Sequence, residues 1–157
     1  MLYAAYGSNL NLEQMAYRCP HSKPVGVAYL HRWKLMFKYH ADIVGTYSNE
    51  DIVPVLLWDI AKEDWEKLDR YEGYPKYYVK RIVKVEYENT IVDAIAYIMA
   101  DTNRRNFYDF PDRDYYNIIV EGYYENKLPL KYLYEAIKDT SETIAFNYLT
   151  GEDVYLH

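Results

Sequence analysis

The sequence predicts an α+β fold, built on a curved, mostly antiparallel β-sheet or barrel. Three observations predict it. Short runs rich in β-branched and aromatic residues cluster in the middle of the chain, and helical patterns lie at the ends and insertions. A length of 157 residues, half of them hydrophobic, gives one domain, residues 1–157, enough apolar side chains for a core of its own.

Leu2–Ala5 is short and apolar and runs straight into Tyr6-Gly7-Ser8-Asn9, which reads as a strand entering a tight turn. Asn11 opens a helix, with Gln14 in the capping-box position, and Pro20 stops it. Val25–Leu30 and Lys34–Lys38 read as strands, and a polar loop follows near Gly45–Asp51. Val53–Ile60 is a strand whose continuous apolar run predicts burial on both faces. Lys62–Tyr71 reads as a short helix ending near Gly73. Tyr77–Tyr87 and Thr90–Met99 form a hairpin around Glu88-Asn89. A polar loop, Ala100–Arg113, precedes two helices, Tyr115–Asn126 and Pro129–Lys138. Ser141–His157 carries no clear pattern.

The formal charge of −6 speaks against a nucleic-acid or anionic-membrane partner, since both require a basic footprint. A single cysteine, Cys19, excludes an intrachain disulfide, and no apolar run is long enough to span a bilayer. The start of the chain lacks the pattern of a secretory signal. These features predict a cytoplasmic protein. His21, His31, His40 and His157 have no ligand spacing among themselves, so no metal site is predicted.

Three constellations have the right chemistry for a site. The glycine turn Tyr6-Gly7-Ser8-Asn9-Leu10, between strand and helix, either points backbone N–H groups at an anion or simply needs glycine for its backbone. Glu72 lies where a helix ends, among aromatic residues. Such a carboxyl is either a desolvated proton carrier with a raised pKa or a solvated turn residue. Tyr78, Tyr97 and Tyr115 sit near element ends or beside the long loop, and either orient a ligand or pack the core.

Taken together, the motifs resemble the γ-glutamyl cyclotransferase-like family. Its Y-G-S-N-L opening stands as Tyr6–Leu10, and its L-D-x-x-E-G as Leu68–Gly73, followed by Tyr77-Tyr78-Val79. Ala96-Tyr97-Ile98-Met99, the Pro111-to-Tyr115 step and Lys127–Tyr132 follow in the family's order. The resemblance covers residues 1–139. It implies a small mixed, mostly antiparallel β-barrel with flanking helices. It also implies an enzyme of transferase or lyase type that cyclises a γ-glutamyl amide, releasing 5-oxoproline and a free amine or amino acid, without metal or other cofactor.

Carried over by position, Glu72 matches the catalytic glutamate. Tyr6, Gly7, Ser8, Asn9 and Leu10 match the segment that holds the γ-glutamyl group. Tyr78, Tyr97 and Tyr115 match cavity tyrosines, with Tyr77 an alternative to Tyr78. The chain departs from the family at Pro54-Val55 and at Lys127, where glycine is common. The partner implied is a small γ-glutamyl substrate, and a homodimer stays open as an oligomeric state. A non-catalytic ligand-binding module on the same fold is the rival reading.

Overall fold

A computed structural model describes residues 1–101 and 107–151. The strands are β1 (Leu2–Ala5), β2 (Lys23–His31), β3 (Trp33–Lys38), β4 (His40–Gly45), β5 (Ile52–Asp59), β6 (Tyr78–Tyr87) and β7 (Thr90–Met99). The α-helices are α1 (Leu12–Arg18), α2 (Lys62–Glu72), α3 (Arg113–Glu125) and α4 (Lys131–Thr150). A single 3-10 turn, Ser8–Leu10, links β1 to α1.

Five strands close a barrel in the order β1-β5-β2-β6-β7. Four of its pairings are antiparallel, and the barrel closes through a parallel contact of β1 with β7 at Tyr3 and Ile95. The mixed, mostly antiparallel barrel is therefore present. The apolar run in β5 fills it: Val53 to Trp58 are all buried. Pro54 lies beyond the last β1 partner of β5, the Ala5–Leu56 pair, so its missing N–H costs that ladder nothing. The β6–β7 hairpin turns at Glu88 and Asn89, both at positive φ, as a tight two-residue turn requires.

The strand β4 was not anticipated. It pairs antiparallel with β3 in a separate two-stranded sheet, turning at Tyr39, whose φ is +64°. A turn with no glycine or Asn-Gly pair gave no signal in the sequence. This hairpin is docked on the barrel by Asp42, which is buried. One of its carboxylate oxygens accepts the Met99 N–H at 2.9 Å, and the other pairs with Lys38 Nζ at 2.9 Å. On its other side β3 meets α4, where Thr140 Oγ1 accepts the Phe37 N–H at 3.0 Å.

Helix α4 continues to Thr150, well past the boundary at Lys138 expected from sequence. The 100–113 loop is described only in part. Within it, Asp109 exchanges backbone hydrogen bonds with Phe37 and Tyr39. Among the described residues, no helix is long and apolar enough to cross a membrane.

Candidate active site

The first loop is shaped by close packing. A β-carbon at Gly7 would lie 3.2 Å from Ala41 Cβ and 3.5 Å from the Tyr115 hydroxyl, so the side-chain-free residue lets the loop pass between β4 and α3. The 3-10 turn uses the N–H groups of Leu10 and Asn11, which donate to the carbonyls of Gly7 and Ser8. That leaves the N–H groups of Ser8 and Asn9 without a partner inside the turn. From the barrel, Trp58 Nε1 donates to the Asn9 carbonyl at 3.1 Å. Asn11 then caps α1 by accepting the Gln14 N–H at 3.1 Å.

Behind the loop, α3 is pressed against it. Asn126 Nδ2 donates to the Leu10 carbonyl at 2.8 Å, and Asn11 Nδ2 donates to the Ile118 carbonyl at 3.1 Å. Gly122 makes that approach possible, since its missing β-carbon would collide with Leu10.

Glu72 is the last residue of α2. Gly73 follows in the left-handed region, with φ +67°. The Gly73 N–H reaches the Arg70 carbonyl and the Tyr74 N–H reaches that of Asp69, the paired bonds of a Schellman ending. A glycine here ends the helix and leaves Glu72 at its rim. Asn9 Nδ2 donates to Glu72 Oε1 at 3.2 Å and to the Tyr3 hydroxyl at 3.0 Å.

These elements wall a cavity of about 410 Å³. Tyr6, Gly7, Ser8 and Asn9 line it, as do Glu72, Tyr78, Tyr97 and Tyr115. Leu10 does not. Its side chain is wholly buried in the core beneath the loop. Tyr77 and Tyr78 both reach the cavity, so the two are neighbours in its wall and not alternatives.

Sequence reasoning missed Tyr3, Tyr71, His40 and Ala41 as lining residues. In the sequence His40 stands out only as one of four histidines without ligand spacing. In the fold its Nδ1 lies 2.7 Å from the Tyr77 hydroxyl, and its ring meets Tyr115 edge-on at 5.1 Å between centroids.

The tyrosines are held by their hydroxyls. Tyr78 donates to the Ala41 carbonyl at 2.6 Å, while Tyr115 accepts the Ala41 N–H at 3.0 Å and keeps its own proton to give. Tyr97 donates to Asp69, whose other oxygen pairs with Lys80 at 2.9 Å, and Tyr6 donates to the Tyr97 carbonyl.

Burial pushes the Glu72 carboxyl from its ordinary 4.5 up to about 7, against the positive charge of Arg18 and a hydrogen bond from Tyr3, both of which pull it down. Burial also raises Tyr3, Tyr6, Tyr78, Tyr97 and Tyr115 above the usual tyrosine range. They remain protonated donors throughout the range in which Glu72 titrates. The site thus offers one group able to exchange protons near neutral pH, set among neutral hydroxyls and backbone donors.

Known proteins are similar to this chain in sequence and in fold. The family model described as Gamma-glutamyl cyclotransferase, AIG2-like, matches residues 3–117. The Gamma-glutamylcyclotransferase of Homo sapiens is 30% identical over 143 residues, covering 83% of this chain and 74% of that protein. The protein of the same name from Bos taurus is 32% identical over the same coverage. A solved structure titled Gamma-glutamyl cyclotransferase superposes with a TM-score of 0.73 at 30% identity, covering 87% of this chain and 85% of that one. The chain belongs to the γ-glutamyl cyclotransferase, AIG2-like family.

Proposed function

We propose that the protein is a γ-glutamyl cyclotransferase that acts in the cytoplasm on a small γ-glutamyl amide, releasing 5-oxoproline and a free amine or amino acid. The observation that carries this reading is the Asn9–Glu72 contact. It places a carboxyl with a pKa of about 7 on the wall of a cavity, directly beside the glycine loop.

The reaction is an internal aminolysis. Glu72 takes a proton from the substrate's α-ammonium, and the freed amine attacks the γ-carbonyl carbon. A five-membered ring forms and the negative charge moves to the carbonyl oxygen. As the C–N bond to the leaving group breaks, the leaving nitrogen receives its proton from Glu72. Over the cycle two protons leave the attacking nitrogen and two end on the leaving amine, so Glu72 finishes as it began. Holding the two reacting groups of one molecule together contributes about 7–11 kcal/mol in favourable cases. The N–H groups of Ser8 and Asn9 and the Tyr115 hydroxyl are the donors assigned to the α-carboxylate or the oxyanion. One preorganised oxyanion donor is typically worth about 2.7–4 kcal/mol.

The test is to incubate the purified protein with a panel of γ-glutamyl amino acids, peptides and amines and to follow 5-oxoproline. Release from at least one of them, lost in Glu72→Gln, supports the assignment. Binding without release from any of them favours a ligand-binding module.

A further inference from the structure

Arg18 lies outside the cavity lining, at the end of α1, yet it is tied to the cavity at one remove. Its guanidinium lies 3.6 Å above the centre of the Tyr71 ring. Nη2 donates to Gln14 Oε1 at 2.7 Å, and Nη1 donates to Asn9 Oδ1 and approaches Ser8 Oγ at 3.5 Å. The stacked ring and two amide oxygens hold the fork in one place.

The Asn9 amide is thereby fully used. Its oxygen faces Arg18, and its nitrogen gives one hydrogen to Tyr3 and the other to Glu72. An arginine carries only donors, so an amide nitrogen cannot take the place of Oδ1 against it. Turning the amide over would set N–H against N–H at Arg18 and bring Oδ1 against the Glu72 carboxylate. Asn9 is 2% exposed, so water does not relieve either conflict.

We propose that Arg18 is a positioning residue that fixes the sense of the Asn9 amide, so that its nitrogen, and not its oxygen, meets Glu72. This rests on the reading of Glu72 as the proton carrier. Without Arg18 the amide turns freely, the carboxylate loses a committed donor, and the general base is protonated over more of the pH range. The titratable side chains around Glu72 include Tyr71 beside it and His40 and Tyr77 in the cavity wall. Those that feel its charge include Tyr3 on β1, Tyr6 after it, Cys19 after α1, Tyr78 on β6, Tyr97 on β7 and Tyr115 on α3. Burial holds Cys19 at about 11 and the last-named five tyrosines above their usual range, so none of these six changes charge near pH 7. His40 is the same in every variant, so whatever it contributes is common to the whole cycle.

The experiment is a double-mutant cycle on the substrate-free protein. Arg18→Met keeps an apolar stem against Tyr71 and removes the donors, and Asn9→Ala removes the amide. The Glu72 carboxyl is titrated by carbon NMR in wild type, each single variant and the double variant, with Glu72→Gln identifying its signal. Each single variant is expected to raise the midpoint by about half a pH unit or more, and the double variant by clearly less than the sum. An additive pair means that Arg18 acts by charge alone and overturns the proposal, as does an unmoved midpoint in Arg18→Met. Should that variant misfold, Arg18→Gln takes its place in the same cycle: a double variant shifted clearly less than the sum of the singles supports the proposal, and an additive pair overturns it. The titration needs no substrate, so its outcome is separate from whether the wild type yields 5-oxoproline.

Discussion

Gly122 in α3 and Leu10 in the first loop sit so close that a β-carbon at position 122 would stand 2.8 Å from Leu10 Cβ and 2.9 Å from the Asn11 nitrogen. The obstacle is partly backbone, so it cannot swing aside. Gly122→Ala therefore has to push α3 off the loop. Overpacking of this kind typically costs about 1–3 kcal/mol. We expect a lowered thermal midpoint and a raised KM for the γ-glutamyl substrate, although the residue is remote from the cavity. An unchanged midpoint together with unchanged kinetics refutes the coupling between α3 and the loop.

Glu72→Gln separates stability from turnover. General acid–base catalysis contributes about 10²–10⁴-fold, so kcat should fall by that order while affinity for a substrate analogue changes little. Stability should move the other way. The native carboxyl titrates at about 7 and the unfolded one near 4.5, so the folded state holds the proton more tightly. The stabilisation this gives is complete below about pH 4.5 and is lost as pH rises to about 7. At pH 8 the neutral glutamine escapes that loss. Allowing for the partly open face of Glu72, the gain is on the order of 1–2 kcal/mol. Thermal melts at pH 5 and pH 8 check it: the variant should gain on wild type at the higher pH. A gain restricted to pH 5 contradicts the raised pKa.

The wild-type pH profile should carry the same signature. With Glu72 as the base, kcat/KM falls as pH drops below about 7, tenfold per unit in the limit. A flat profile between pH 5 and pH 8 removes Glu72 from that role.

Internal aminolysis needs a free α-amine. An N-acetylated substrate has none, and its 5-oxoproline yield should be nil under conditions where the parent compound is consumed. Continued release from the acetylated compound rules out the mechanism while leaving the fold untouched.

Lys127 ends α3 in the left-handed region, at φ +56°. Its N–H reaches the Tyr124 carbonyl and the Leu128 N–H that of Tyr123, so a lysine occupies the glycine position of a Schellman ending. Left-handed backbone costs a side-chain-bearing residue about 1–2 kcal/mol, partly offset by the greater unfolded-state freedom of glycine. Lys127→Gly should stabilise the protein by about 0.5–1 kcal/mol, seen as a rise of a few degrees in the melt. A fall in the melting midpoint shows that the lysine side chain makes a compensating contact.

Local signals made much of this architecture legible. The glycine turn before Asn11, the helix ending at Gly73 and the Glu88-Asn89 hairpin each announce themselves through a residue with unusual backbone freedom. Strand β4 was hidden because Tyr39 makes its turn in a conformation that tyrosine seldom adopts. The length of α4 was hidden because its C-terminal half exposes Phe146, Tyr148 and Leu149, so no clean apolar stripe marks it. At the site, Glu72 and the loop could be read from chain order. Tyr3, His40 and Arg18 could not: Tyr3 and Arg18 stand only six and nine residues from Asn9, but it is the path of the loop that brings both to its amide, and His40 reaches the cavity on the strand that was hidden. Leu10 belongs to the motif but faces the core, a matter of which way one residue of a 3-10 turn points.

The parallel contact that closes the barrel also has a bearing on time. The loop carrying Tyr6–Leu10 leaves the ribosome well before its partners: Tyr6 bonds to a residue 91 positions on, and Leu10 to one 116 positions on. Contacts of such separation are slow to form, because the loop-closure entropy is lost before the contact rewards it. The first turn must wait, without its barrel neighbours, until β7 and then α3 have been synthesised. The pocket is consequently among the last parts of the molecule to acquire its shape, and a nascent chain halted before α3 holds Glu72 without the support behind the loop that faces it.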